Sequence, residues 1–192
     1  MPTAPTFKPA FARLASYAPM WALALPVAGV ALLAWSAQVS IPLEPVPITL
    51  QSYVLLTMAA LMGWRFTALT VAAYIAVGLM GLGVFSGLSG GLAVMKTPKA
   101  GFIVGFFVSA VLVAVLQERW ARLRPLPLFG VLALGHLVLM TMGAGWIATM
   151  AGPARAFETA FLPYVPGAVV KTVAALATVI LVERLAGTGR PR

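Results

Sequence analysis

Val165-Pro166-Gly167-Ala168-Val169-Val170-Lys171-Thr172-Val173-Ala174-Ala175-Leu176-Ala177-Thr178-Val179-Ile180-Leu181-Val182 is a predominantly apolar run of 18 residues that carries one charge. A run of about 18 or more such residues is long enough to cross the hydrocarbon core of a bilayer as a helix. A lysine within it costs about 2.5–3.5 kcal/mol on insertion scales, so Lys171 needs a partner, water or a function. That reading sets the fold class, and it makes Lys171 the first candidate for a functional residue.

Five more apolar segments precede it. The expected spans are about 20–39, 49–62, 66–85, 101–116, 126–150 and 165–182. With 61% of 192 residues hydrophobic and only 9% charged, little of the chain is left for a soluble domain. The expectation is an all-α integral membrane bundle of six transmembrane helices, forming one membrane domain over residues 1–192. The second span is short unless it begins near Pro47. Lys8 and Arg13 before the first apolar stretch resemble a signal peptide, but residues 20–37 exceed the usual ~7–15-residue signal core. Trp35 also spoils cleavage after Ala37, so this stretch reads as an uncleaved first helix.

The cations sort by side. Lys8, Arg13, Arg65, Arg119, Arg122, Arg124, Arg184, Arg190 and Arg192 fall at one end of the expected spans, which the positive-inside rule makes cytoplasmic together with both termini. The other side holds Lys96, Lys99 and Arg155, besides Lys171. Topology therefore accounts for the net charge of +9, and no basic run with interleaved aromatics suggests nucleic acid. The absence of cysteine excludes disulfides, thiolate metal sites and cysteine nucleophiles. Glu44, Glu118, Glu158 and Glu183 are spread over both sides, and no Ser/His/Asp set, metal cluster or Walker spacing is present. Neither enzyme chemistry nor a metal or cofactor is expected.

The outer loops are compositionally odd, and a ligand site is expected there, since irregular backbone near lipid persists where it is buried or lines a cavity. In Ile41-Pro42-Leu43-Glu44-Pro45-Val46-Pro47-Ile48-Thr49-Leu50-Gln51, alternating prolines disfavour helix, yet the stretch is apolar. It reads either as a strap over a cavity or as a rigid connector at the headgroups. Gln51 offers an amide for a ligand, or equally for a neighbouring helix. Gly87-Leu88-Ser89-Gly90-Gly91 lets backbone approach a ligand closely, although most such runs are plain turns. Trp146 is either an interface anchor or a cavity wall. His136, within span five, reads as a helix–helix hydrogen-bonding residue. Ala24 and Ala28, at i and i+4, allow close packing on the first helix, within the chain or against another protein.

Taken together, the outer segments resemble a known family. Val46-Pro47-Ile48-Thr49-Leu50-Gln51, Gly81-Leu82-Gly83-Val84-Phe85-Ser86-Gly87, Ser89-Gly90-Gly91 and the stretch from Phe161-Leu162-Pro163 to Lys171 are similar, in order, to the signature of BioY proteins. These are the biotin-binding S components of energy-coupling factor transporters. The resemblance implies a biotin-binding subunit of a prokaryotic cell membrane, which takes the vitamin from outside beneath residues 40–51 and 86–100. It also implies work with a transmembrane coupling subunit and two ATPase subunits. Lys171 matches a ligand-contacting lysine of the last helix, and Ser89 falls where some relatives have an asparagine contact. Gln51, Trp146, Gly90 and Gly91 lie at characteristic positions, and Ala24 and Ala28 would face the coupling subunit. Two departures stand out. Pro166-Gly167-Ala168 lacks the acid of the Pro-Gly-Asp found in some relatives. Lys96-Thr97-Pro98-Lys99-Ala100-Gly101-Phe102 departs from a Gly-Pro-Thr-Gly-Gly-Tyr pattern and adds two outer lysines that could meet an anionic vitamin. The alternatives are a transporter of another small vitamin, with or without an ATPase module, or else an intramembrane enzyme or a scaffold.

Overall fold

A chain that crosses lipid must satisfy its backbone internally, and this one does so with helices. The computed structural model describes residues 19–121 and 124–186; Lys8, Arg13, Arg122, Arg190 and Arg192 lie outside the described residues. Its main elements are α1 (Pro19–Gln38), β1 (Ser40–Ile41), β2 (Ile48–Thr49), α2 (Gln51–Met62) and α3 (Trp64–Leu79). After these come α4 (Ala100–Leu116), α5 (Pro125–Ala151) and α6 (Val165–Leu185). Short helical turns occupy Leu92–Lys96 and the stretch from Pro153 to Tyr164.

Among the described residues, three helical stretches are long and apolar enough to cross a membrane: Ala100–Trp120, Pro125–Ala151 and Pro153–Leu185. The others are shorter. At 1.5 Å per residue the 12-residue α2 spans only about 18 Å, well short of a ~30 Å core. Ile48 and Thr49 are not part of it, because they pair with Ile41 and Ser40 in the antiparallel hairpin. The third helix also stops at Leu79 instead of running to residue 85. Gly81 has φ of 109°, which a helix cannot continue, and the Gly78 carbonyl accepts the Gly91 N–H at 2.7 Å. The chain therefore doubles back over the end of α3. At the opposite end of the bundle Gly63, with φ of 79°, joins α2 to α3 in a single residue. Glu118 Oε1 accepts the Trp64 N–H there at 3.0 Å, satisfying one of the orphan donors of α3.

The most extensive seam of the bundle is that between α4 and α5, which share its largest helix–helix contact. Without water to expel, helices in lipid gain mainly from close packing, and small residues permit it. A Cβ at Gly101 would overlap Trp146 Cβ and the Met142 carbonyl, and one at Gly143 would overlap the Phe102 ring. Gly135 is closed off in the same way by Val113. Tyr74, Leu56, Leu132 and Val179 are fully buried, so α2, α3, α5 and α6 all contribute to the core.

Candidate functional site

Lys171 is the seventh residue of α6, which starts at Val165. Its ammonium donates to the Thr49 carbonyl at 2.6 Å and to Ser52 Oγ at 3.2 Å. It has no carboxylate partner among the described residues; the charge sits against the backbone of the proline segment instead. An ammonium has three donors. Two are used here.

The proline segment is a strap. Val46, Pro47, Ile48 and Thr49 close over a cavity whose floor and walls come from the interiors of α4, α5 and α6, among them Phe106, Met140, Ala168 and Lys171. Its backbone is held at intervals: by the β1–β2 pairing, by Leu50 N–H to Val39 O at 2.8 Å, and by Lys171 on Thr49 O. The Tyr164 hydroxyl donates to the Val46 carbonyl, and the Phe102 ring stacks on Tyr164 at 5.8 Å between centroids. The cavity holds about 50 Å³, against the ~300–1,000 Å³ usual for small-molecule sites. A wider, open depression of about 360 Å³ borders the strap at Glu44 and Pro45, with Pro98, Arg155 and Thr159 also on its rim.

Of the residues singled out in the sequence as ligand contacts, the structure brings only Lys171 to this cavity. Gln51 is buried one position before Ser52, and its Nε2 has no hydrogen-bond partner among the described residues. Trp146 lies on the flank of α5; its indole N–H donates to Thr97 O at 3.1 Å, and its Cβ packs on Gly101. Ser89, Gly90 and Gly91 belong to a compact knot formed by residues 80–91. Phe85 and Ser89 exchange backbone hydrogen bonds at 3.1 and 3.3 Å. The Gln38 side chain grips the knot from α1, donating to Phe85 O and accepting from Leu88 N–H, each at 3.1 Å. Lys99 Nζ donates to Ser86 O at 2.7 Å and to Ser89 Oγ at 3.0 Å, and burial holds its pKa below the usual lysine value. A Cβ at Gly90 would overlap the Leu82 carbonyl, so its close approach is to its own loop. Ala24 and Ala28 are exposed on α1, beside the exposed Val27.

His136 makes the helix–helix hydrogen bond expected of it, to Thr172 on α6. It also lines the cavity with Lys171, and its Nδ1 lies 3.0 Å from Thr172 Oγ1. Thr49, Ser52, Phe102 and Tyr164 were missed. The available signal was positional: Ser52 follows Gln51 and Thr172 follows Lys171, while His136 is the chain's one histidine and lies mid-helix.

Comparison with known proteins accords with this architecture. Residues 10–188 match the model of the BioY family. A probable biotin transporter BioY of Pyrococcus horikoshii is 32% identical over 158 residues, covering 82% of this chain and 91% of that one. The biotin transporter BioY of Thermotoga maritima is 31% identical over 156 residues, covering 81% and 91%. In fold, the chain is similar to the crystal structure of the S-component for biotin from an ECF-type ABC transporter. The TM-score is 0.80 at 22% identity, covering 86% of this chain and 92% of the other.

Proposed function

Since the chain belongs to the BioY family, we propose that it is the membrane subunit that binds biotin for uptake, with Lys171 as the charged contact in its site. One observation carries this reading. A lysine inside an apolar bundle has a donor to spare and lines a cavity beneath an apolar strap. Its neighbours are the Thr49 carbonyl and the Ser52 hydroxyl, and Ala168 takes the place where some relatives offer an acid. A polar or anionic group of the ligand therefore completes the coordination of the ammonium. The work is capture and delivery, with no bond made or broken in the ligand.

The same reading sets the topology. Arg65, Arg119, Arg124 and Arg184 cluster at the end of the bundle opposite the strap, so by the positive-inside rule that end and both termini are cytoplasmic. The chain is then a single membrane domain in the plasma membrane of a prokaryote, and the strap faces the incoming vitamin. Delivery proceeds with a transmembrane coupling subunit and two ATPase subunits, docked on the exposed small-residue stripe of Ala24 and Ala28. Equilibrium binding of labelled biotin to the purified protein, with close vitamin analogues as competitors, tests the proposal. Saturable binding that only biotin-like compounds displace is expected; no saturable binding at micromolar concentrations would sink it.

A further inference from the structure

The hydrogen bonds around His136 fix which of its nitrogens carries the proton. The Thr172 hydroxyl has one proton to give. It donates to the Ala168 carbonyl at 2.8 Å, one turn back on α6. The same oxygen lies 3.0 Å from His136 Nδ1, so it accepts the Nδ1–H. A neutral imidazole arranged this way presents a bare lone pair at Nε2. The reverse arrangement, with Thr172 donating to Nδ1, loses the bond to Ala168 and strands a buried Nε2–H, which is costlier. Nε2 is buried and has no hydrogen-bond partner among the described residues, in a side chain only 3% exposed.

The His136 side chain stands in the wall of the cavity that Lys171 lines, with Nε2 itself buried. Lys171 and His136 thus present one free donor, the third N–H of the ammonium, and one free acceptor. We infer that His136 is a second specificity determinant, accepting an N–H of the ligand while Lys171 donates to an adjacent carbonyl. The inference rests on the biotin reading and assigns the orientation of the vitamin. A cyclic urea carries a carbonyl and N–H groups side by side, matching the donor and acceptor in turn. A carboxylate carries only lone pairs, and against Nε2 it would leave that atom unsatisfied. The urea ring therefore goes to Lys171 and His136, and the carboxylate points toward the depression rimmed by Arg155.

The test compares biotin with its two ring carbamate analogues, in each of which oxygen replaces one urea N–H and the ring shape is nearly preserved. For the wild-type protein, one analogue is expected to bind about tenfold or more weakly than biotin, the loss typical when a buried polar group is left unpaired. In His136→Leu, biotin itself binds weakly and the ratio between biotin and that analogue collapses toward one. Thr172→Val keeps the imidazole but removes the group that holds its proton on Nδ1, so the ratio falls there too. This second variant also serves if His136→Leu fails to fold. Equal affinity of the wild type for biotin and both carbamates would overturn the inference while leaving the biotin reading intact, as would an undiminished ratio in a folded variant. Absence of any saturable biotin binding would instead remove the reading beneath it.

Discussion

Replacing Lys171 with methionine keeps the apolar stem and removes the ammonium, which makes it the most informative single perturbation. Two opposing terms decide what happens to the fold. The hydrogen bonds to Thr49 O and Ser52 Oγ are lost, each worth about 1.5–3 kcal/mol when a charge is involved. Against this, the cost of holding a charge at membrane depth, about 2.5–3.5 kcal/mol, disappears. The net destabilisation is about 0–3 kcal/mol, so the protein is expected to fold. Ligand binding has no such compensation. Losing one charge-assisted hydrogen bond to biotin raises Kd by about 10- to 150-fold. The assay is equilibrium binding of labelled biotin to Lys171→Met, with thermal unfolding followed on the same preparation. A folded variant that binds biotin as tightly as the wild type would refute the placement of Lys171 in the site.

Three further outcomes follow from other parts of the bundle. Replacing Ala24 and Ala28 together by leucine should abolish co-purification with the coupling subunit while leaving biotin affinity unchanged; an intact complex would count against this stripe as the docking face. Gly143→Val places a side chain in the Phe102 ring, and overpacking of this kind costs about 1–3 kcal/mol, so a lower unfolding temperature is expected and an unchanged one would contradict the tight seam. Lys99→Met removes two hydrogen bonds that tie down residues 80–91, and the Ser89 amide should exchange hydrogen faster. Its biotin affinity should fall far less than that of Lys171→Met, and an equal loss would place Ser89 in the ligand site after all.

The helices were legible because lipid imposes a simple code: long apolar runs and sided cations suffice to read α4, α5 and α6. The ends of α2 and α3 were not, since hydropathy does not see backbone sign. Residues 80–85 are as apolar as a span, yet Gly81 and the doubled-back chain at Gly91 end the helix first. The site was legible in part for a related reason. Lys171 stands out as an isolated charge, and the alternating prolines mark the strap. Ser89, Gly90 and Gly91 drew attention through their composition, but the hydrogen bonds from Gln38 and Lys99 that explain them come from residues 38 and 99, outside any local window. For His136 the sequence suggests the usual role of a membrane histidine, a bond to a neighbouring helix. It makes that bond here, through Thr172, and that bond is what leaves its other nitrogen free to act.

The division between fixed and yielding parts follows from the same geometry. About 50 Å³ holds at most one or two waters, so a vitamin enters only if a wall gives way. The α4–α5 seam cannot supply the room, because Gly101, Gly135 and Gly143 already let the two helices touch. The strap can. It is held by a hairpin of two-residue strands, the Leu50 N–H on Val39 O, one hydroxyl on Val46 O and the Lys171 ammonium on Thr49 O. The last of these is the group proposed to meet the ligand. A ligand carbonyl that took up the free donor of Lys171 would compete with Thr49 for the same charge and loosen the strap from within. The charge that is costly in lipid thus sits where binding and opening act on a single atom, and that coupling is a physical reason to keep a lysine there in place of an apolar residue.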